Sequence, residues 1–314
     1  MPKMSTDLKR RALNGAVMGT RWSAVFHAPE TLPLEPIHAA LSDAVGTVDR
    51  QMSTWKPDSD LMRLNAAEVG VWHPAPPELL AVLQLGLAIG QASGGAFDIG
   101  LGDVVQAWGF GPCAADPARI IAAMKLPHRP SHEILQIDAR AGKLRKTAAL
   151  TLDLNGIAKG YAVDRMTEVL TGFGITASLT SLDGELRGKG VQPDGSAWPV
   201  AVEKPDYTAR AALAMLDLQD AAVATSGDYR HWVDVGAKRL SHTMDRRRAA
   251  PVEGGAASVT VMAASCAEAD AWATALLVLG ADAGLTLARR HGLSALFLTR
   301  QGGEFLGQGC GAFA

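Results

Sequence analysis

The sequence predicts a mixed, largely antiparallel α+β protein with helices packed on its sheets. Three observations point there. Short apolar segments bounded by Gly, Pro and Asp recur beyond residue 176, among them "ASLTSL", "GELRGKG", "WPVAVE", "ALAMLDL", "AAVAT", "HWVDV" and "ASVTVMA". Amphipathic helices stand among the strands without the regular β-α alternation of a doubly wound parallel sheet. At 314 residues, 48% apolar and 20% charged, the chain is long enough to bury a large core. No repeat, low-complexity tract or long polar linker marks a division. One domain over residues 15–314 is therefore expected, preceded by a disordered segment over residues 1–14.

Taken in order, "GAVMGTRWSAVFHA" (residues 15–28) reads as a strand. Pro33 then opens a helix with Ile37, Leu41, Val45, Val48 and Met52 on one side. In "MSTWKPDSDLMRLN", Pro57, Asp58 and Ser59 signal a turn and a short capped helix. "PPELLAVLQLGLAIGQASGG" has Pro77 and Glu78 where a helix starts and Gly94-Gly95 where one has ended. A hairpin ("ILQIDARAGKLRK"), an apolar strand ("ALTLDL") and a helix running to residues 172–174 follow. The last elements are a helix over residues 282–291 and a strand at "ALFLT".

Between them lies "SCAEADAWATALLVLG" (residues 265–280), a helix apolar on most faces. Ser265 and Glu268 form an S-x-x-E capping box and Gly280 is the stop. Asp270 lies beyond the first turn, where an acid would merely complement free N–H groups, and shares a face with Thr274. A buried carboxylate needs compensation. Two candidates remain open: a structural Arg or Lys, or a hard cation such as Mg²⁺, which takes oxygen ligands and often only one or two from side chains.

Composition excludes several classes. The net charge of −2 gives no global attraction to nucleic acid or anionic membranes, so no nucleic-acid partner is expected. The runs Lys9-Arg10-Arg11 and Arg246-Arg247-Arg248 read as solvated loops. Cys113, Cys266 and Cys310 fit neither a disulfide framework nor a zinc spacing and are expected in the core. No apolar stretch of 18 residues and no signal-like N-terminus occurs, so no transmembrane segment is expected. The expected compartment is the cytoplasm as the sequence stands, or the periplasm if a leader has been removed.

Several segments break local rules in ways that an idle loop does not require. "GGAFDIGLGDVVQAWGFGP" (residues 94–112) carries six glycines, a backbone open to close approach, and places Asp98 where an Asx turn or a ligand contact would use it. "LDLNGIAKG" (residues 152–160) puts an Asn, two glycines and a Lys before a helix, a generic and unspecific anion cradle. "ATSGDYRHW" sets a Thr-Ser-Gly turn beside aromatic and basic residues. In "SHTMD" (residues 241–245), His242 is the histidine best placed for acid/base work, because Ser, Thr and Asp neighbours can fix its tautomer. Walker A, G-x-G-x-x-G, G-x-S-x-G and H-E-x-x-H patterns are absent.

Together these segments resemble the FAD:protein FMN transferases, the ApbE family. The resemblance runs in family order through "MGTRW", "STWKPDSDLMRLN", "GGAFDIGLGDVVQAWGFG", "LDLNGIAKGYAVDR", "VATSGDYRHW", "SHTMD" and "ADAWATALLVLG". It implies an ApbE-like, T-fold-like architecture of two interleaved lobes around one ligand cleft. It also implies transfer of FMN from FAD, with Mg²⁺ or Mn²⁺, onto a Thr or Ser hydroxyl of an acceptor flavoprotein, with release of AMP. The implied acceptor is a subunit of a respiratory or reductase complex. Met18, Trp55, Ala96, Phe97, Asp98, Asn155 and Met244 are implied around FAD. Asp270, Thr274 and the Ala158 carbonyl are implied around the metal. His242 is the candidate base for the acceptor hydroxyl, with Asp245 or Asp98 as alternatives.

The chain departs from the family pattern in two places. Arg246 and Ala249 stand where Pro and Gly are usual, and "SLDGEL" stands where many relatives have Gly-Gly-Asp. Two rivals stay open: hydrolysis of FAD to FMN and AMP at the same site, with water in place of the acceptor hydroxyl, and, through the change at Arg246 and Ala249, FAD binding without catalysis.

Overall fold

A computed structural model describes residues 8–207, 210–230, 232–235 and 238–314. The N-terminal half comprises β1 (Leu8–Val17), β2 (Thr20–Pro29), α1 (Leu34–Met52), α2 (Asp60–Ala66), β3 (His73–Pro74), α3 (Pro77–Ala92), α4 (Gly102–Ala107), α5 (Pro117–Lys125), α6 (Ser131–Ile134), β4 (Leu135–Asp138) and β5 (Lys143–Lys146). The remainder comprises α7 (Ala158–Gly172), β6 (Ser178–Leu182), β7 (Glu185–Lys189), β8 (Trp198–Glu203), β9 (Ala212–Leu218), β10 (Ala221–Gly227), β11 (Trp232–Val235), β12 (Lys238–Ser241), β13 (Met244–Asp245), β14 (Ala250–Pro251), β15 (Ser258–Ala263), α8 (Cys266–Arg290), β16 (Ser294–Gln301) and β17 (Glu304–Cys310).

One eight-stranded sheet, in the order β1-β2-β6-β7-β10-β15-β16-β17, organises the molecule, and every neighbouring pair in it is antiparallel. Alternation along β2 shows the two faces. Trp22, Ala24 and Phe26 enter the main core under α1, α7 and α8, while Val25 joins Trp198, Val200 and Leu218 of the β8–β9 hairpin on the opposite side. The mixed, largely antiparallel α+β class is the one predicted.

α1 buries Ile37, Leu41, Val45, Val48 and Met52, as the spacing requires. Ser59 caps α2 by accepting the Met62 N–H, and Pro77 opens α3. Gly280, at φ +74, interrupts α8 where the sequence placed its stop. α8 is long and apolar enough to cross a membrane by length and composition alone, but this break and the burial of half its apolar window mark a core helix.

Four expectations need correction. Residues 8–14 belong to β1, paired with β2 in unbroken register, so they are not disordered and Lys9-Arg10-Arg11 is not a loop. Residues 15–28 are not one strand but the two sides of a turn. Met18 (φ +50) and Gly19 (φ +71) both lie in the left-handed region, the signature of a two-residue type I′ hairpin loop. "ALTLDL" is not a strand. The Asn65 side chain takes the place of a neighbouring strand there, accepting from the Leu152 N–H (2.7 Å) and donating to the Leu152 carbonyl (2.9 Å). Finally, Cys113 is exposed; only Cys266 and Cys310 are buried.

α7 and α8 cap one another. The Asp164 carboxylate, on α7, accepts the N–H groups of Cys266 (2.8 Å) and Ala267 (2.9 Å) at the start of α8, and pairs with Arg187 at 2.5 Å. Asp270, on α8, accepts the N–H of Gly160 (3.2 Å) in the first turn of α7. These N–H groups have no partner within their own helices, and the carboxylates complement the dipoles as well. The helices meet so closely that a Cβ at Gly160 would lie 2.3 Å from the Cys266 carbonyl oxygen. Asp164→Ala should cost about 3 kcal/mol, the scale for breaking a buried hydrogen-bonded pair. Urea denaturation checks this; a loss below about 1 kcal/mol would contradict the reciprocal capping.

Candidate active site

Asp270 is 4% exposed and, among the described residues, has no ion-pair partner within 4.0 Å. Burial first, and then the Glu185 charge, push its pKa up to about 7, against the pull of the Lys159 ammonium and the Gly160 N–H. Of the two compensations left open by the sequence, a direct Arg or Lys partner is thus not what the structure contains. Lys159 is bound instead to Glu185 (2.8 Å) and Asp183 (3.2 Å). Burial lowers its pKa, but Glu185, Asp270 and Asp183 outweigh that and raise it. The Asp183 carboxylate also accepts from the Thr20 hydroxyl (3.2 Å), and its φ of +60 is in the left-handed region that favours glycine.

Thr274 marks the convergence of four segments. Its hydroxyl lies 3.0 Å from the Ser226 hydroxyl of β10. A Cβ on Gly156 would sit 3.1 Å from that hydroxyl and 3.2 Å from Cε2 of Phe97, so glycine allows "LDLNG" and "GGAFD" to meet there. Asp270 and Thr274 therefore present oxygens to the start of α7, where Ala158 is the first residue. An under-compensated carboxylate beside a hydroxyl and a helix-start carbonyl is a donor set suited to a hard cation completed by phosphate and water oxygens. Among the described residues no cluster of three or more His, Cys, Asp or Glu side chains could hold a metal, so any such ion would have few side-chain ligands.

The anion cradle expected at "NGIAKG" is partly used internally. The N–H groups of Ile157 and Ala158 bond to the Leu154 carbonyl, and that of Gly160 to Asp270. Asn155 is exposed at the tip, held by Asp153, which accepts its backbone N–H (2.9 Å) and its side-chain amide (3.0 Å). Burial pushes the Asp153 pKa up to about 6, opposed by that N–H.

The second half of the site is built on Asp98. Its carboxylate accepts from the N–H groups of Gly100 (2.9 Å) and Ser131 (3.2 Å) and faces Arg246 Nε at 3.5 Å. Arg246 is therefore not a solvated loop residue. Met244 is buried with Leu101, Val104, Ala107 and Ala249, and Trp108 Nε1 donates to the Ala249 carbonyl (3.1 Å). His242 lies edge-on to Phe110, with ring centroids 6.3 Å apart. Asp245 accepts the Arg247 N–H (2.9 Å), a turn role. Adjacent residues Phe97 and Asp98 thus connect the two halves.

Phe97 itself is buried and Ala96 is half-buried, whereas Trp55 is 62% exposed with its indole open. Met18 occupies the left-handed position of its turn, an unusual conformation for a side chain of that size. His231, in "ATSGDYRHW", lies outside the described residues. Sequence reasoning passed over Asn65 and did not foresee the partners of Ser226 and Lys159, because these contacts are long-range and no local pattern announces them.

Ala249 also sits at φ +47. Ala249→Gly should stabilise the protein by about 1 kcal/mol, because a left-handed alanine costs about that much. Thermal unfolding checks this; a lower melting temperature would mean that the alanine methyl contributes packing that outweighs the strain.

Residues 18–297 match the sequence profile of the ApbE family. The FAD:protein FMN transferase of Klebsiella pneumoniae (strain 342) is 34% identical over 301 residues, spanning 93% of this chain and 85% of the relative. That of Escherichia coli (strain K12) is 33% identical over 299 residues, with the same coverage. Among solved structures, the apo flavinyl transferase ApbE of Pseudomonas stutzeri superposes with a TM-score of 0.85 at 35% identity, covering 98% of this chain and 96% of that one. The flavin transferase ApbE of Vibrio cholerae gives 0.85 at 29% identity, covering 98% of each chain. On the shared fold, the convergent segments and these likenesses, the chain belongs to the ApbE family.

Proposed function

We propose that this chain is an Mg²⁺-dependent FAD:protein FMN transferase acting on a Thr or Ser hydroxyl of an acceptor flavoprotein. The relatives' names support the reaction. The observation within this chain that carries it is the pairing of Asp270 and Thr274 on one face of α8, turned towards the first turn of α7.

Asp270, Thr274 and the Ala158 carbonyl would hold the cation. When bound, it neutralises charge on the pyrophosphate oxygens and polarises the phosphorus for attack. The exposed Trp55 indole offers a flat face to the isoalloxazine ring, with Met18, Ala96, Phe97, Asp98, Asn155 and Met244 supplying the rest of the FAD surface. The acceptor hydroxyl oxygen bonds to the FMN phosphorus, the bond from that phosphorus to the bridging oxygen breaks, and AMP leaves with that oxygen. His242 takes the hydroxyl proton, its ring orientation restricted by Phe110.

Mass spectrometry of an acceptor incubated with the chain, FAD and MgCl₂ should show one added FMN, with an equal amount of AMP released. Free FMN with unlabelled acceptor would favour the hydrolysis rival instead. His242→Asn should lower single-turnover transfer by about 10²-fold and flatten its pH profile, in keeping with the contribution of a general base. An unchanged profile would remove His242 from that role.

Asp270 gives a pH prediction with a definite sign. Its folded pKa of about 7 lies above its ordinary value, so its proton favours the folded apo protein at low pH and that contribution is lost as pH rises through about 7. Cation binding needs the ionised carboxylate and should strengthen over the same range. The rise in melting temperature produced by MgCl₂ should therefore be larger at about pH 8 than at about pH 6, and absent in Asp270→Asn. Equal gains at both pH values in both proteins would exclude Asp270 as the ligand.

A further inference from the structure

Arg246 stands in the turn between β13 and β14, yet its side chain leaves that turn. Nη1 donates to the His128 carbonyl (2.7 Å), and Nε lies 3.5 Å from the Asp98 carboxylate. The guanidinium rests on Gly95, where a Cβ would meet Nη2 at 2.7 Å and where φ is +80. The Arg246 side chain is 17% exposed and that of Asp98 only 2%, while Arg247 and Arg248 are exposed. The guanidinium thus hydrogen-bonds the carbonyl through Nη1 and ion-pairs with the carboxylate through a buried Nε that makes no hydrogen bond among the described residues, a two-sided contact that a planar fork spans and a flexible ammonium does not.

This one side chain joins three segments: the turn that follows His242 and Met244, the Gly95–Asp98 stretch, and the connection between α5 and α6. Otherwise the turn has modest support. β13 and β14 are two residues each, and most of the turn's other bonds are local: the Asx contact of Asp245, the Arg248 and Ala249 N–H groups on the Asp245 and Arg246 carbonyls, the Val252 N–H on the Thr243 carbonyl, and an exposed Arg248–Glu253 pair, with Trp108 on Ala249 the bond from outside. Strands that short hold a loop weakly by themselves.

We propose that Arg246 is a positioning residue: it presets residues 242–249 against the Ala96–Asp98 wall, so that the candidate base and the flavin side of the cleft are aligned before substrate arrives. What the cleft binds rests on the function proposed above; the clamp itself rests on the contacts just described. The departures at 246 and 249 then mark a different way of fixing one loop, by side-chain bonding in place of a restricted backbone.

Arg246→Met keeps the length of the side chain and removes the fork; Arg246→Lys keeps the charge. For the Met variant, kcat for FMN transfer should fall about 10- to 100-fold, the cost of misplacing a reacting group, with KM for FAD changed less than about threefold. Trypsin cleavage after Arg247 or Arg248, mapped by mass spectrometry without FAD, should be at least about tenfold faster. The Lys variant should be intermediate in both readouts. A purely structural role would lower the melting temperature without splitting kcat from KM and without localised cleavage, and that result would overturn the proposal. So would a Met variant indistinguishable from the parent. If the Met variant does not fold, Asp98→Asn, which removes the facing charge without changing shape, should give the same accelerated cleavage, and unchanged cleavage would count against the clamp. If the parent itself transfers no FMN, the proposed function fails while the cleavage comparison still decides the role of Arg246.

Discussion

The crossing of α7 and α8 is the constraint on which the rest depends. Each helix supplies the acid that satisfies the other's first turn, Asp164 for Cys266 and Ala267, Asp270 for Gly160. The contact is possible only because Gly160 has no side chain to hold the helices apart. Both helices lie on the same face of the eight-stranded sheet, so their mutual register fixes where "NGIAKG" stands relative to "ADAWATALL". A dry interior makes such bonds strong when complete and costly when broken.

Asp270 combines an observed structural bond with the ligand position proposed for it. One oxygen accepts from Gly160, and burial with the nearby Glu185 leaves the group poised between charged and neutral near pH 7. Lys159, the cation that could have quenched it, is tied to Asp183 and Glu185. The result is a carboxylate oriented by one hydrogen bond and, among the described residues, without an ion-pair partner, the arrangement on which the proposed metal role rests.

Much of this was legible beforehand, and the reasons are local. The S-x-x-E box announced the start of α8, and Ser265 does accept the Glu268 N–H. Gly280 announced the break, Ser59 the cap of α2, and the spacing of Ile37, Leu41, Val45 and Val48 the inner face of α1. What escaped was set by distant partners. Nothing near Leu152 says that the amide of Asn65 will occupy its N–H and carbonyl, and nothing near Arg246 says that its guanidinium will reach Asp98. The hairpin at Met18-Gly19 escaped because Met is a poor advertisement for a left-handed turn position.

The first strand carries a different lesson. Among the described residues β1 has a partner on one side only, so its outer backbone groups would offer a template for another chain. Lys9, Arg10 and Arg11 fall on that strand. Like charges brought face to face along a shared border would repel, so this basic triplet disfavours edge-to-edge pairing of two copies of the sheet.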